Sequence, residues 1–156
     1  DKMDSVVQKA VEMGVTRIVP VLTQRCVSRP DQKSAQKKVE RWQKISVEAA
    51  KQCGRGILPP VSPVTDFSAA LRQAASKSTV LFFYEGGGQS LHQCIDPSCK
   101  SYSIFIGPEG GFAEKEVQLA LDSGVKKATL GPRILRTETA PVAALAAIML
   151  TTGNMT

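Results

Sequence analysis

Residues 78–85 read STVLFFYE, an unbroken apolar run of strand-forming residues. A strand that faces water on one side alternates apolar with polar positions, so a run without alternation belongs to a strand covered on both faces. Covering a sheet on both faces takes helices, and the rest of the chain supplies them. SIFIG at 103–107 and KKATLG at 126–131 repeat the strand pattern. Between them lies the helical period of AEKEVQLALDSG, and PVAALAAIML follows. This alternation predicts an α/β layer fold on a mainly parallel sheet with helices on both faces.

Upstream, Met3, Val6, Val7, Ala10 and Val11 share one helical face, with Gly14 as the stop. TRIVPVLT then reads as a strand that Pro20 pushes toward an edge. A long helix is expected from about Asp31 or Ser34 to Cys53, with Val39, Trp42, Ile45, Ala49 and Ala50 on its apolar stripe. LPPVSPVTDF is held extended by its prolines, and Asp66 is placed to cap a helix over FSAALRQAAS. SLHQCIDPSCKSY is the least regular stretch, with room for a short helix and a loop.

The 156 residues suffice for one domain with a substantial core, without disulfides or metal. No apolar run approaches the roughly 18 residues of a membrane span, so none is expected. The opening DKMDSVVQKAVEMG carries Asp1 and Asp4 where a signal peptide needs positive charge, and it lacks an initiator methionine. A piece of a longer protein is therefore expected. Cys26, Cys53, Cys94 and Cys99 form no CxxC pair, which suits reduced thiols in a cytoplasmic setting. The only ligand cluster to weigh is His92 and Cys94 with Cys99; its spacing is unlike a zinc site, and no metal is expected.

Charge is unevenly spread. Residues 1–55 hold 12 Lys and Arg against 6 Asp and Glu, whereas residues 56–156 hold 8 of each, so the net +6 lies in the first third. A one-sided basic surface suits a polyanion, and Arg25, Arg29, Lys37, Lys38, Arg41 and Arg55 are the candidate RNA-binding residues, acting mainly through phosphates. The competing explanation is a solvated helix face over KSAQKKVERWQK.

Ligands of parallel α/β sheets bind beyond the carboxyl ends of the strands. Three such ends are chemically marked: Tyr84-Glu85-Gly86, Gly107-Pro108-Glu109-Gly110-Gly111 and Leu130-Gly131-Pro132-Arg133. IGPEGGF matches neither GxxxxGK[ST] nor GxGxxG, and Glu85 and Glu109 would repel a polyphosphate. The two carboxylates suit a ligand with ribose hydroxyls and a positive charge, as in S-adenosylmethionine. Equally, GPEGG reads as a tight turn in which Glu109 favours the next helix N-terminus.

GPEGGF, followed about twenty residues later by LGPRILRTETA, resembles the RsmE family of ribosomal RNA methyltransferases within the SPOUT superfamily. KMDSVVQKAVEMGV and RWQKISVEAAKQCGR are similar to that family too, so the resemblance covers nearly the whole chain. It implies that residues 1–156 form a SPOUT methyltransferase domain whose C-terminal segment threads a deep trefoil knot, an exception to the rule of unknotted chains. It also implies a homodimer, S-adenosylmethionine as cofactor, and methyl transfer to N3 of a uridine in small-subunit (16S) ribosomal RNA. The family carries an N-terminal PUA-like RNA-binding domain that has no counterpart here.

Transferred position by position, the resemblance implies a cofactor site built from Glu85, Ile106, Gly107, Gly110, Leu130, Gly131, Ile134, Leu135, Arg136, Thr137, Thr139 and Ala140. Leu130, Ile134 and Leu135 would enclose the adenine in apolar walls and main-chain hydrogen bonds. Arg136 is the candidate catalytic residue, stabilising negative charge on the uracil as N3 loses its proton, with Glu138 orienting it or relaying the proton. An internal Arg136–Glu138 salt bridge is the structural alternative. Rival assignments are a SPOUT enzyme acting on transfer RNA or 23S ribosomal RNA, and a non-catalytic RNA-binding module of the same fold.

Overall fold

The computed structural model describes residues 2–27 and 29–155. Helix α1 (Lys2–Glu12) buries Val7, Ala10 and Val11, and Gly14 ends it at φ +98°, where a β-carbon would be strained. Helix α2 (Gln32–Gln52) begins where the Asp31 side chain accepts the amide of Ser34 at 2.8 Å. That bond lowers the pKa of the Asp31 carboxyl. Trp42, Ala49 and Ala50 face inward against α1.

The expected TRIVPVLT strand is much reduced. Ile18 makes one bridge to Val61, and only Val21–Leu22 (β1) pairs as a strand, parallel to Thr65–Asp66 (β2). Proline explains the brevity. Pro20, Pro59, Pro60 and Pro63 lack the amide that a ladder needs, so what remains is a few single bonds such as Thr65 N to Pro20 O at 3.0 Å. Helix α3 (Phe67–Lys77) follows, capped by Asp66 as expected.

The main sheet holds β3 (Thr79–Phe83), β4 (Gln89–Ser90), β5 (Tyr102–Ile106) and β6 (Lys126–Thr129) in the order β4-β6-β3-β5, every pair parallel. The apolar run of β3 is a central strand covered on both faces. Val80 and Phe82 join α3 and α5 (Glu114–Asp122) in one cluster; Leu81 and Phe83 join α4 (Leu91–Cys94) and α6 (Ala140–Thr151) in another. Leu145 of α6 reaches a third cluster with α1 and α2. Helix α6 thus lies between the sheet and the first two helices, which accounts for its being apolar on nearly every side. Its Ala144 is fully buried and Ala147 packs beside it, so these small side chains serve close contact with the chain's own sheet.

Strands β3 and β4 lie on opposite sides of β6, yet only residues 84–88 join them. This connection fits closely around β6: a β-carbon on Gly88 would stand 2.5 Å from the carbonyl oxygen of Lys127. Backbone cannot yield as a flexible side chain does. Gly88→Ala is therefore expected to lower stability by roughly 1–3 kcal/mol, read as a lower urea midpoint at unchanged slope. An unchanged midpoint would show that β4 is free to move away from β6.

Candidate active site

Register sets the geometry of the site. Phe83 pairs with both Ile106 and Ala128, so β3, β5 and β6 end in one row. The three marked loops consequently leave the sheet along a single edge, as the strand-end argument requires.

The first loop is held from β6. Lys127 Nζ donates to Tyr84 Oη at 2.9 Å and to the Gly86 carbonyl at 3.4 Å, while Tyr84 packs on Phe82 with ring centroids 5.8 Å apart. Glu85 between them is exposed. Nothing in the sequence of β6 distinguished Lys127 from its neighbour Lys126 as the one that turns inward.

The second loop runs from Gly107 to Ala113. Its turn closes through Gly111 N to Pro108 O at 2.8 Å, with Gly111 at φ +73°. Phe112 is the anchor: it is buried with its ring centroid 4.4 Å from that of Phe82. A β-carbon at Gly107 would meet the Phe112 ring at 3.1 Å, so the glycine lets the loop fold back over its own anchor. Glu109 does not serve the next helix. It is exposed and ion-paired with Lys2, and of the two carboxylates in the first turn of α5, Glu114 and Glu116, it is Glu116 whose Oε1 accepts Ala113 N at 2.9 Å. A Glu three residues into a helix is the signal that could have identified it. The other oxygen, Oε2, accepts Gln24 N at 3.0 Å, and Arg25 Nη1 donates to the Gly110 carbonyl at 3.1 Å.

The third loop is the polar junction. Thr129 Oγ1 accepts Gly131 N at 3.2 Å, and Gly131 turns at φ +108°. Leu130 and Leu135 are half-buried, whereas Ile134 is 81% exposed. Thr139 N and Ala140 N both donate to the Arg136 carbonyl, closing the turn that starts α6, and Pro141 sits in its first turn. The side chains of Arg136 and Thr139 are exposed, and those of Thr137 and Glu138 half-buried. Glu138 Oε2 is buried without a hydrogen-bond partner, and the ion pairs among the described residues are Lys2–Glu109 and Arg41–Asp4. Arg136 and Glu138 therefore do not brace the junction as a salt bridge. Among the described residues, no hydrogen bond engages the main-chain N–H groups from Arg133 to Glu138. Buried backbone donors rarely go unanswered; these are exposed or half-buried, so the run is open to water or to a ligand.

The basic candidates are dispersed. Arg25 spends one donor on Gly110, Arg29 donates to the Thr23 carbonyl at 2.8 Å, and Arg41 pairs with Asp4. Half-buried Arg55 ties α1 to the end of α2 through the Val11 and Val15 carbonyls at 3.0 and 2.7 Å. Lys37 is exposed, and Lys38 is half-buried and engaged. On α2, Lys33, Lys37, Lys44 and Lys51 share their solvent face with Glu40 and Glu48, so it is a mixed surface. His92 is exposed, and burial raises the pKa of the Cys94 thiol. Cys99 is lowered, chiefly by the Thr79 hydroxyl 3.1 Å away.

Residues 1–149 match the family of RNA methyltransferase domains. Over 155 residues the chain is 39% identical to the ribosomal RNA small subunit methyltransferase E of Bacillus subtilis, an alignment covering 95% of this chain and 60% of that protein. Its counterpart in Aquifex aeolicus is 33% identical over 147 residues, with 94% and 62% covered. Among solved structures, the ribosomal RNA small subunit methyltransferase E of Neisseria gonorrhoeae bound to S-adenosyl methionine is similar at a TM-score of 0.90 and 43% identity, over 97% of this chain and 62% of that one. The chain thus spans about three fifths of the length of these relatives.

Proposed function

Because this chain belongs to the family of RNA methyltransferase domains, we propose that it transfers a methyl group from S-adenosylmethionine to N3 of a uridine in small-subunit ribosomal RNA. The observation that carries this is the junction 130–139: a run of unanswered main-chain donors from Arg133 to Glu138 that bears the apolar side chains of Ile134 and Leu135, with Leu130 just before it, and ends at the unpartnered carboxylate oxygen of Glu138. Main-chain donors between apolar side chains suit the edge and faces of an adenine. Gly107 and Gly110 bring backbone close to the ligand, exposed Glu85 meets the ribose hydroxyls, and Thr137, Thr139 and Ala140 line the methyl-donor side. The bound cofactor supplies an electrophilic methyl group. Arg136 then stabilises the charge that spreads to O2 and O4 of the uracil, and Glu138, whose Oε2 has no partner, takes the proton from N3.

The proposal extends to architecture. The chain is a SPOUT domain whose C-terminal segment threads a trefoil knot; in its support, β6 lies between two strands joined by the short 84–88 connection. It acts as a homodimer in the cytoplasm, with exposed Leu150 and half-buried Val142, Ala143 and Ala146 on the outer side of α6 as the apolar surface for pairing. RNA is met through phosphates by the N-terminal third, so its affinity is expected to fall steeply with salt, roughly as the 0.7 power of concentration per phosphate engaged. Filter binding to small-subunit rRNA at two salt concentrations checks this, and a salt-insensitive complex would count against it.

Calorimetric titration with S-adenosylmethionine and S-adenosylhomocysteine, with NAD as control, tests the site directly. Saturable binding of the first two alone supports it. A folded chain that binds neither would leave a non-catalytic RNA-binding module as the better description.

A further inference from the structure

We propose that Arg25 and Glu116 are positioning residues that clasp the Gly107–Ala113 loop from outside the candidate site, a role that rests on reading this loop as part of the cofactor site. The clasp joins segments far apart in sequence at two points. At the tip of the loop, Arg25 Nη1 holds the Gly110 carbonyl at 3.1 Å. At its far end, Glu116 spends both carboxylate oxygens, one on Ala113 N and one on Gln24 N. Bonds in which one partner is charged are the stronger kind. The tip and the far end of the loop are thereby fixed to the segment that leaves β1.

That segment is itself closed. Arg29 holds the Thr23 carbonyl, Cys26 N returns to the same oxygen at 3.3 Å, and Thr23 is buried. The approach is tight as well: a β-carbon on Gly110 would stand 3.3 Å from Cβ of Arg25. Gly110 therefore serves the clasp as well as any ligand. Without it, Gly110 and Gly111 would sample more conformations, and binding would carry the cost of ordering them.

The test uses the ligand-free chain and its complex with S-adenosylhomocysteine, comparing wild type with Arg25→Ala, Glu116→Gln and Arg25→Lys. Arg25→Ala and Glu116→Gln are each expected to raise the dissociation constant roughly three- to tenfold, the effect of one charge-assisted bond at an exposed site. Amide exchange over 107–113 should quicken in the ligand-free chain, with α2 unchanged. Arg25→Lys should recover most of the loss, because only one donor is used. Unchanged exchange in both disruptive variants overturns the clasp, and faster exchange with unchanged affinity overturns its positioning role. A wild-type chain that binds no S-adenosylhomocysteine overturns the site reading and the positioning role together, which the exchange data distinguish from failure of the clasp itself.

Discussion

Arg136→Ala is expected to leave affinity for S-adenosylhomocysteine nearly intact and to cut methyl transfer by about a hundred- to a thousandfold, the usual consequence of removing one group that stabilises developing charge. The two effects are separable because residue 136 divides its work between backbone and side chain. Its carbonyl closes the turn into α6 by accepting from Thr139 and Ala140, and alanine keeps that carbonyl. Its guanidinium is exposed and belongs to neither ion pair of the described residues, so truncation strands no buried partner charge. Labelled methyl incorporation into small-subunit rRNA, set beside calorimetric binding of S-adenosylhomocysteine, measures both. If affinity and turnover fell together, Arg136 would be architectural and the catalytic assignment would be lost.

Phe82→Ala attacks the scaffold instead. Phe82 is fully buried on the central strand and packs against Phe112, Tyr84, Phe67 and Phe105 at centroid distances of 4.4, 5.8, 6.1 and 6.5 Å. Deleting such a ring costs about 3–5 kcal/mol, because its neighbours collapse only partly into the space. For a chain of this length that lowers Tm by roughly 6–20 °C. Two of those neighbours, Tyr84 and Phe112, root the first and second loops, so weaker S-adenosylhomocysteine binding should accompany the loss even well below Tm. Calorimetric unfolding checks the first effect, and titration at low temperature the second. A Tm within 2 °C of wild type would show that the aromatic cluster repacks.

Local chemistry made much of this fold readable. Asp66 announced its helix because a short acidic side chain satisfies amides that the helix leaves open, and the same chemistry decides for Asp31 over Ser34 as the start of α2. The run in β3 announced a central strand, and the glycine-rich loops announced the sheet edge where the candidate site lies. What stayed hidden depends on pairing between distant segments. Gln89–Ser90 has no strand character of its own and becomes β4 only because β6 lies beside it. TRIVPVLT looked like a full strand, but its partner segment is nearly as poor in amides as it is rich in proline. Glu116 and Gln24 meet across 92 residues, a contact that no local pattern encodes. In the candidate site, glycine spacing located the loops at the strand ends, whereas the close fit of Arg25 against Gly110 is visible only in three dimensions.

The position of β6 also dictates an order of assembly. As the chain leaves the ribosome, β3 can pair with β5, but its other edge stays open until residues 126–129 emerge, and β4 has no partner in the sheet until then. For that interval the most apolar strand of the protein exposes an unpaired row of amides and carbonyls, the kind of edge that recruits other chains. Pairing across such sequence distances is slow. The vulnerable period in the life of this molecule therefore lasts until β6 has emerged and paired, and substitutions that delay that pairing should reduce soluble yield before they reduce the stability of whatever folds.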